Sequence, residues 1–532
     1  MERALPGKRE LVSGAGYELL VGVCRGIEKE GLRVSEQTGM LAQTPHPRAL
    51  GSALTHPSIT TDYSEALLEF ITPVSADVGL SLEQLDAIHR FTAGQLQDEL
   101  VWGASMPCIV AGERSIPIAY YGTSNVGMMK RVYRNGLGVR YGRMMQAIAG
   151  IHYNFSLPPG FWEAAWQGEG CPGSLQDYQT EGYLGLIRNF FDRAWLLIYL
   201  LGASPAVCAS FLSGNRNHPL EAFDASANSL YLPHATSLRM GDLGYTSNAQ
   251  AGLQVCYNQL DNYISTLSQA IVTPHGDYAE FTLTEEGEPA QLNDSLLQIE
   301  NEFYSPIRPK RVTASGEAPV VALRRGGIEY VEVRCIDINP FLPLGIDGET
   351  IHLIDTFLMD ATLSASPLCD EQGQRRNREN LNRIVNQGRH PQLKLVSESG
   401  ELPFTDAANA LLEQMALTAE RLDRAHGSHA HQQAIAVARE RVADAETTPS
   451  ARVLREMRDT QQPFWQLALN YSRQWHSDFR SRPLSPIELS EFTTASEVSL
   501  RQQADLESAK GIPFEDYLAN FYQQYKTVLA AP

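Results

Sequence analysis

The 532-residue chain has no Cys-x-x-Cys pair and no Cys/His zinc spacing. Its seven cysteines, at 24, 108, 171, 208, 256, 335 and 369, are an odd number that cannot all be bridged within the chain. Reduced thiols and a cytoplasmic location are expected. Positive charge is scarce: 43 basic against 62 acidic residues leave a net charge of −19, the opposite of a nucleic-acid binder's basic footprint. Small-molecule partners are expected instead, and anionic ones would need local Arg, Lys or metal charge to overcome the overall field. Low-complexity tracts are absent, and with 43% hydrophobic content the chain is long enough for one large core or two domains.

Two nucleotide-binding devices are also missing. There is no GxxxxGK[ST] loop and no GxGxxG after a strand; "GLGVRYG" has the wrong spacing. Any ATP must then be held through metals and basic side chains, for which Lys130, Arg131, Arg134, Arg140 and Arg143, or Arg308, Lys310 and Arg311, are available. The opening "MERALPGKRELVSGAGYELLVGVC" lacks an apolar run of signal-peptide length, so export by that route is not expected. One stretch, Ala194 to Leu212, is free of charge, but Gly202, Ser204 and Pro205 interrupt it. It reads as a buried helix over 186–201 entering a turn, not as a membrane span.

Glycine is nearly absent from the tail: of 41 glycines only Gly427 and Gly511 follow position 400. Residues 1–400 read as an α+β core, with helices near 80–98, 139–150, 181–201 and 250–272. Residues 401–532 read as a helical annex packed on that core, built from "TDAANALLEQMALTAERLD", "AHQQAIAVARERVADAE", "SARVLREMRD" and "FEDYLANFYQQYKTVL". His426, His429 and His431 fall in "RAHGSHAHQQ", where Gly427 and Ser428 predict a solvated loop.

What the chain does contain is chemistry on strand faces. Glu28 and Glu30 in "VGVCRGIEKEG", His152, Asn154 and Ser156 in "GIHYNFS", and Tyr330, Glu332 and Arg334 in "IEYVEVRCID" are each two apart, and side chains two apart on a strand share a face. Ile27, then Ile151, Tyr153 and Phe155, then Val331, Val333 and Cys335 take the opposite faces, as core-facing residues would. An exposed antiparallel face also alternates in this way. Here, however, acids recur without matching lysines, and like charges held close need a cation between them. Glu69 adds to the group as the only charge in "ALLEFITP", where an unpaired buried acid would be costly. Asp62, in the turn-like "TTDYSEA", has the local alternative of bonding its own backbone.

The blocks "RGIEKEGLRV", "GSALTHPSITTDYSEALLEFITP", "MPC", "YGTSNVGMMKRVYRNGLGVRYG", "GIHYNFSLP", "LGASPAV", "TSLRMGDLGYTS", "LQIENEFYSPIRPKRV" and "GGIEYVEVRCIDINPF", in consistent order from about residue 20 to 345, resemble the proteobacterial type of glutamate-cysteine ligase. The resemblance implies a fold similar to glutamine synthetase, a curved and largely antiparallel sheet forming a funnel with helices outside. It implies Glu28, Glu30, Asp62, Glu69, His152 and Glu332 as ligands of Mg2+ or Mn2+. Arg334 is implied beside the transferring phosphoryl group, next to Glu332, with which a plain ion pair is the alternative. Arg239, Tyr245, Tyr304 and Tyr133 are implied around the incoming cysteine, with Tyr63, Leu137 and Gln146 bordering its thiol. The implied reaction joins the γ-carboxylate of L-glutamate to the amine of L-cysteine through γ-glutamyl phosphate at the expense of ATP, the first step of glutathione biosynthesis. A monomer without nucleic-acid or membrane partners, inhibited by glutathione, is expected. The rival readings are a ligase using ammonia or another amine, a catalytically silent sensor of glutamate, nucleotide or glutathione, and a metal-dependent hydrolase.

Overall fold

Alternation in the three strand segments is realised in one seven-stranded sheet. The computed structural model describes residues 14–212, 218–226, 228–243, 250 and 252–530. The strands are β1 (Cys24–Ser35), β2 (Ile59–Thr61), β3 (Leu67–Ile71), β4 (Glu99–Val101), β5 (Ile151–Ser156), β6 (Ile307–Lys310) and β7 (Tyr330–Ile336). Their order is β2-β3-β1-β5-β7-β6, with β4 pairing the end of β1, and every pairing is antiparallel. Residues 206–208, 221–222 and 229–231 make a small second sheet, and Lys394–Ser397 with Gly400–Pro403 a hairpin.

Register brings the three polar faces onto one side. Glu28 lies opposite His152, Glu30 opposite Glu69, and Glu332 between Asn154 and Arg308. On the other side Ile27, Ile151, Tyr153, Phe155, Val331 and Val333 are fully buried. The helix Leu175–Leu201 packs there on β6 and β7, and the helix Val78–Gln95 on β1. Each such aliphatic or aromatic side chain removed from water contributes about 1.5–3 kcal/mol, which anchors the sheet and fixes which face is left for chemistry. A one-residue slip in register would exchange the two faces.

Several expected helices differ. The helix expected over 139–150 lies mostly earlier in the chain: it spans Asn125–Tyr141, capped by Ser124, and is followed only by a short 3-10 turn at Met145–Ala147. The helix expected over 250–272 spans only Leu260–Val272. The helix expected over 181–201 starts earlier, at Leu175, because Ser174 caps it by accepting from Asp177 N. It ends at Gly202, ahead of a strand at Ala206–Cys208, and no helix among the described residues is long and apolar enough to cross a membrane. Among the described residues beyond position 400 lie six α-helices, of which Phe464–Ser481 and Pro486–Ser508 went unread although Ser485 and Glu488 form a capping box. The solvated loop expected at Gly427 and Ser428 is present, with His426 and His429 exposed, but His431 lies outside it. His431 is buried and its Nδ1 lies 2.8 Å from Asp423 Oδ1, while His426 closes the helix Phe404–His426.

Candidate active site

β1 presents Glu28 and Glu30, β3 Glu69, β5 His152 and Asn154, and β7 Glu332, all on the polar face. One ligand atom from each of Glu28, Glu69 and His152 lies within 4.8 Å of the other two. His152 is the hub. Its Nδ1 is 3.4 Å from Glu28 and 3.9 Å from Glu332, and its Nε2 is 3.5 Å from Glu30. Asn154 Nδ2 donates to Glu28 at 2.9 Å, and the amide of Gly150 donates to Glu30 at 2.6 Å. Asp62 follows β2 directly, and its charge acts on both Glu30 and Glu69.

The electrostatics separate these acids. Burial, then the charges of Glu28, Asp62 and Glu30, push Glu69 well above the usual carboxylate range. Burial also raises Glu30. Burial is the largest influence on Glu28 as well and acts upward, but the hydrogen bond and charge of His152 together with the charge of Lys310 make the net shift downward. Glu332 is desolvated too, yet Lys310, Arg334, His152 and Arg308 hold it well below its ordinary value. Glu332 Oε2 and Asn154 Oδ1 are buried and accept no hydrogen bond. A concentration of carboxylates with one imidazole and two oxygens that accept no hydrogen bond fits a hard divalent ion such as Mg2+ or Mn2+.

Arg334 stands at the edge of this cluster. Its Nη1 is 3.2 Å from Glu332 and 3.3 Å from His152, so the ion pair with Glu332 does form. A bulge in β7 aims it: three steps along β7, Val333 to Ile336, oppose two along β5, Tyr153 to Ile151, leaving one extra residue. Arg239 lies beside Gly150 at the start of β5, 1% exposed, with its charge acting on Glu30, Nη2 donating to the Arg334 carbonyl at 2.8 Å and Nη1 3.8 Å from Asp337. Glycine at 150 lets the Arg239 guanidinium approach closely, since a Cβ there would overlap it unless that side chain moved.

The helix Asn125–Tyr141 supplies a second group, with Tyr133 and Leu137 one turn apart on one face. Gln146, on the following 3-10 turn, donates to the Tyr304 hydroxyl at 3.1 Å. Tyr63 is buried with its hydroxyl against Gly138, next to Leu137, and that hydroxyl has no hydrogen-bond partner. Tyr63 and Tyr304 feel each other's charge, and Tyr304 that of Asp62, so this group adjoins the acid cluster. Tyr245 lies outside the described residues. Sequence reasoning had placed Lys310 only in a general basic run and missed Gly150. The signal for Lys310 was its position two residues from Arg308 on one strand; for Gly150 there was none, because its partner Arg239 is remote in sequence.

The sequence model of the glutamate-cysteine ligase family matches residues 9–384. The chain is 51% identical over 511 residues to the glutamate-cysteine ligase of Pseudomonas paraeruginosa, covering 96% of each chain. It is 49% identical over 518 residues to that of Pseudomonas fluorescens, covering 97% of this chain and 96% of the relative. In three dimensions it is similar to the crystal structure of glutamate-cysteine ligase from Francisella tularensis in complex with AMP, with a TM-score of 0.89 at 34% identity over 95% of this chain and 98% of that one. A bifunctional glutathione synthetase from Pasteurella multocida shares the fold at a TM-score of 0.74 and 22% identity, over 93% of this chain and 58% of that one.

Proposed function

The chain belongs to the glutamate-cysteine ligase family, and from that premise we infer that the polar sheet face is where glutamate is activated and the tyrosine-lined group beside it is where cysteine attacks. The enzyme catalyses ATP-dependent ligation of the γ-carboxylate of L-glutamate to the amine of L-cysteine through γ-glutamyl phosphate, the first step of glutathione biosynthesis. The observation that carries the site assignment is the convergence of Glu28, Glu69 and His152 within 4.8 Å, with Arg334 against His152.

In this reading Glu28, Glu30, Asp62, Glu69, His152 and Glu332 hold Mg2+ or Mn2+. When bound, the divalent ions supply the positive charge that lets a carboxylate and a triphosphate approach. Arg334 presents fixed N–H donors to the transferring phosphoryl oxygens and carries no proton itself. Glu332 and the β7 bulge hold that guanidinium in place. Tyr133, Tyr304, Tyr245 and Arg239 position the cysteine, and Tyr63, Leu137 and Gln146 border its thiol, so that the amine faces the acyl phosphate. The sheet forms the wall of a glutamine-synthetase-like funnel, residues 1–400 the catalytic core and 401–532 a helical annex packed on it. The enzyme acts as a monomer in the cytoplasm, a compartment consistent with seven cysteines that form no disulfide. Glutathione contains both ligated substrates and inhibits by overlapping their sites; competition with neither glutamate nor cysteine would remove that expectation.

The deciding experiment is phosphate release from MgATP and glutamate with cysteine, 2-aminobutyrate, ammonia or no acceptor, following the peptide by mass. Cysteine-stimulated release with one γ-glutamylcysteine per ATP is expected. Equal release without amide formation would make the site a hydrolase, and no release would leave a binding protein.

A further inference from the structure

The helix Phe514–Ala530 is remote in sequence from every residue given a role above, yet its side chains reach the cysteine side of the site. Tyr525 is fully buried, and its hydroxyl donates to Glu300 Oε2 at 2.6 Å, while Glu300 Oε1 accepts from Val320 N at 3.0 Å. Three residues earlier on the same helix face, Tyr522 donates to the Gln298 carbonyl at 3.0 Å. Gln298 is also fully buried. Its side-chain amide donates to the carbonyl of Tyr133 at 3.2 Å, and its oxygen accepts from Leu292 N at 3.0 Å. It comes this close to the helix Asn125–Tyr141 because position 136 is glycine, where a Cβ would overlap the Gln298 amide. Glu302, 1% exposed, then accepts from Gln298 N at 2.7 Å, Arg140 at 2.9 Å and the Tyr141 hydroxyl at 2.6 Å. Two residues further on stands Tyr304, whose backbone N donates to Gln250 and whose hydroxyl accepts from Gln146.

Here two tyrosine hydroxyls are spent on one seven-residue segment, which bonds the Tyr133 carbonyl at one end and carries Tyr304 itself at the other. A buried hydroxyl that satisfies a buried carboxylate is costly to remove, so the arrangement fixes one backbone path for the segment.

We propose that the C-terminal helix is a positioning element of the acceptor site, in which Tyr525 and Tyr522 are positioning residues that hold Gln298–Tyr304, and through it Tyr133 and Tyr304, in the geometry that receives L-cysteine. This rests on the reading that Tyr133 and Tyr304 hold the cysteine. In the same reading glutamate and MgATP are bound at β1, β3, β5 and β7, whereas the helix packs mainly on Asn125–Tyr141, Leu260–Val272 and Pro319–Gly326.

The test is Tyr525→Phe and Tyr522→Phe in the full chain, with steady-state constants for cysteine, glutamate and MgATP and the melting temperature measured for each. Misplacing a binding group by a fraction of an ångström to 1 Å costs up to about 100-fold, so a rise of about tenfold or more in KM for cysteine is expected, with KM for glutamate and MgATP within about twofold of wild type. Equal rises for all three substrates, or no change for cysteine, would overturn the proposal. Tyr522 is half-buried, unlike the fully buried Tyr525, so its variant remains informative where Tyr525→Phe fails to fold. Leu137→Ala separates the two levels. If it raises KM for cysteine while both tyrosine variants do not, the positioning role alone fails. If it too leaves cysteine unaffected, the assignment of the acceptor pocket fails.

Discussion

Glu332 sits between two cations, Lys310 Nζ 3.5 Å from Oε2 and Arg334 Nη1 3.2 Å from Oε1, and they keep it ionised against its burial. Removing its charge leaves both cations uncompensated in a desolvated place. Glu332→Gln should therefore lower kcat by about 10²–10³-fold and raise the Mg2+ concentration for half-maximal rate, read from a Mg2+ titration; an unchanged requirement would take Glu332 out of the donor set. Glu69 is the opposite case, raised by burial and by Glu28, Asp62 and Glu30. A carboxyl raised on folding binds more protons in the native than in the unfolded state. Stability of chelator-treated enzyme should then fall as pH climbs from the unfolded Glu value of about 4.3 toward the native one. Thermal melts in EDTA should show this decline in wild type and a flatter profile in Glu69→Gln; identical profiles would contradict the clustering of charge. The thiols need no such tuning. Burial pushes Cys335 up to about 12, too high for a nucleophile at neutral pH. Alanine at each of the seven cysteines in turn should leave kcat within about twofold, and one obligatory thiol would contradict the acyl-phosphate route.

The elements that were legible in the sequence are those whose period matches a one-sided environment. β1, β5 and β7 alternate because one face meets the core and the other the charged cluster, so Glu28, Glu30, His152, Glu332 and Arg334 could be grouped before any pairing was known. The helix Asn125–Tyr141 was misread for a physical reason. It contains Gly127, Gly136 and Gly138, which weaken a helix by about 1 kcal/mol each and read as turn punctuation. In the fold each permits a close approach that a methyl would block, to the Tyr121 carbonyl, the Gln298 amide and the Tyr63 hydroxyl respectively. Local propensity was given up for tertiary contact, a trade that is invisible without the partners. The β7 bulge is equally silent, since no glycine or proline marks it, although it aims Arg334. Gly136→Ala, which raises intrinsic helicity, should nevertheless destabilise the protein by about 1–3 kcal/mol through overpacking against Gln298. Urea unfolding checks this, and a stabilised variant would show that the segment yields freely.

Across the whole molecule, four of the helices after position 400 were readable from their caps and apolar spacing, but not which distant residues they bond. Tyr525 and Glu300 are 225 residues apart, and nothing in either local pattern names the other. Net charge, by contrast, is a whole-molecule property read directly from composition, and it has a kinetic consequence. At −19 the far field repels MgATP and glutamate, whereas Lys310, Arg308 and Arg334 attract them only near the sheet. Raising ionic strength from about 0.02 M to about 0.2 M shortens the screening length from roughly 20 Å to roughly 7 Å, which removes the distant repulsion and spares most of the buried attraction. The association rate of MgATP, followed by stopped flow, should therefore hold level or rise over this range. A fall of about tenfold would mean that a cationic mouth, not the acidic surface, governs approach, and the local cations would then have to extend well beyond the sheet face.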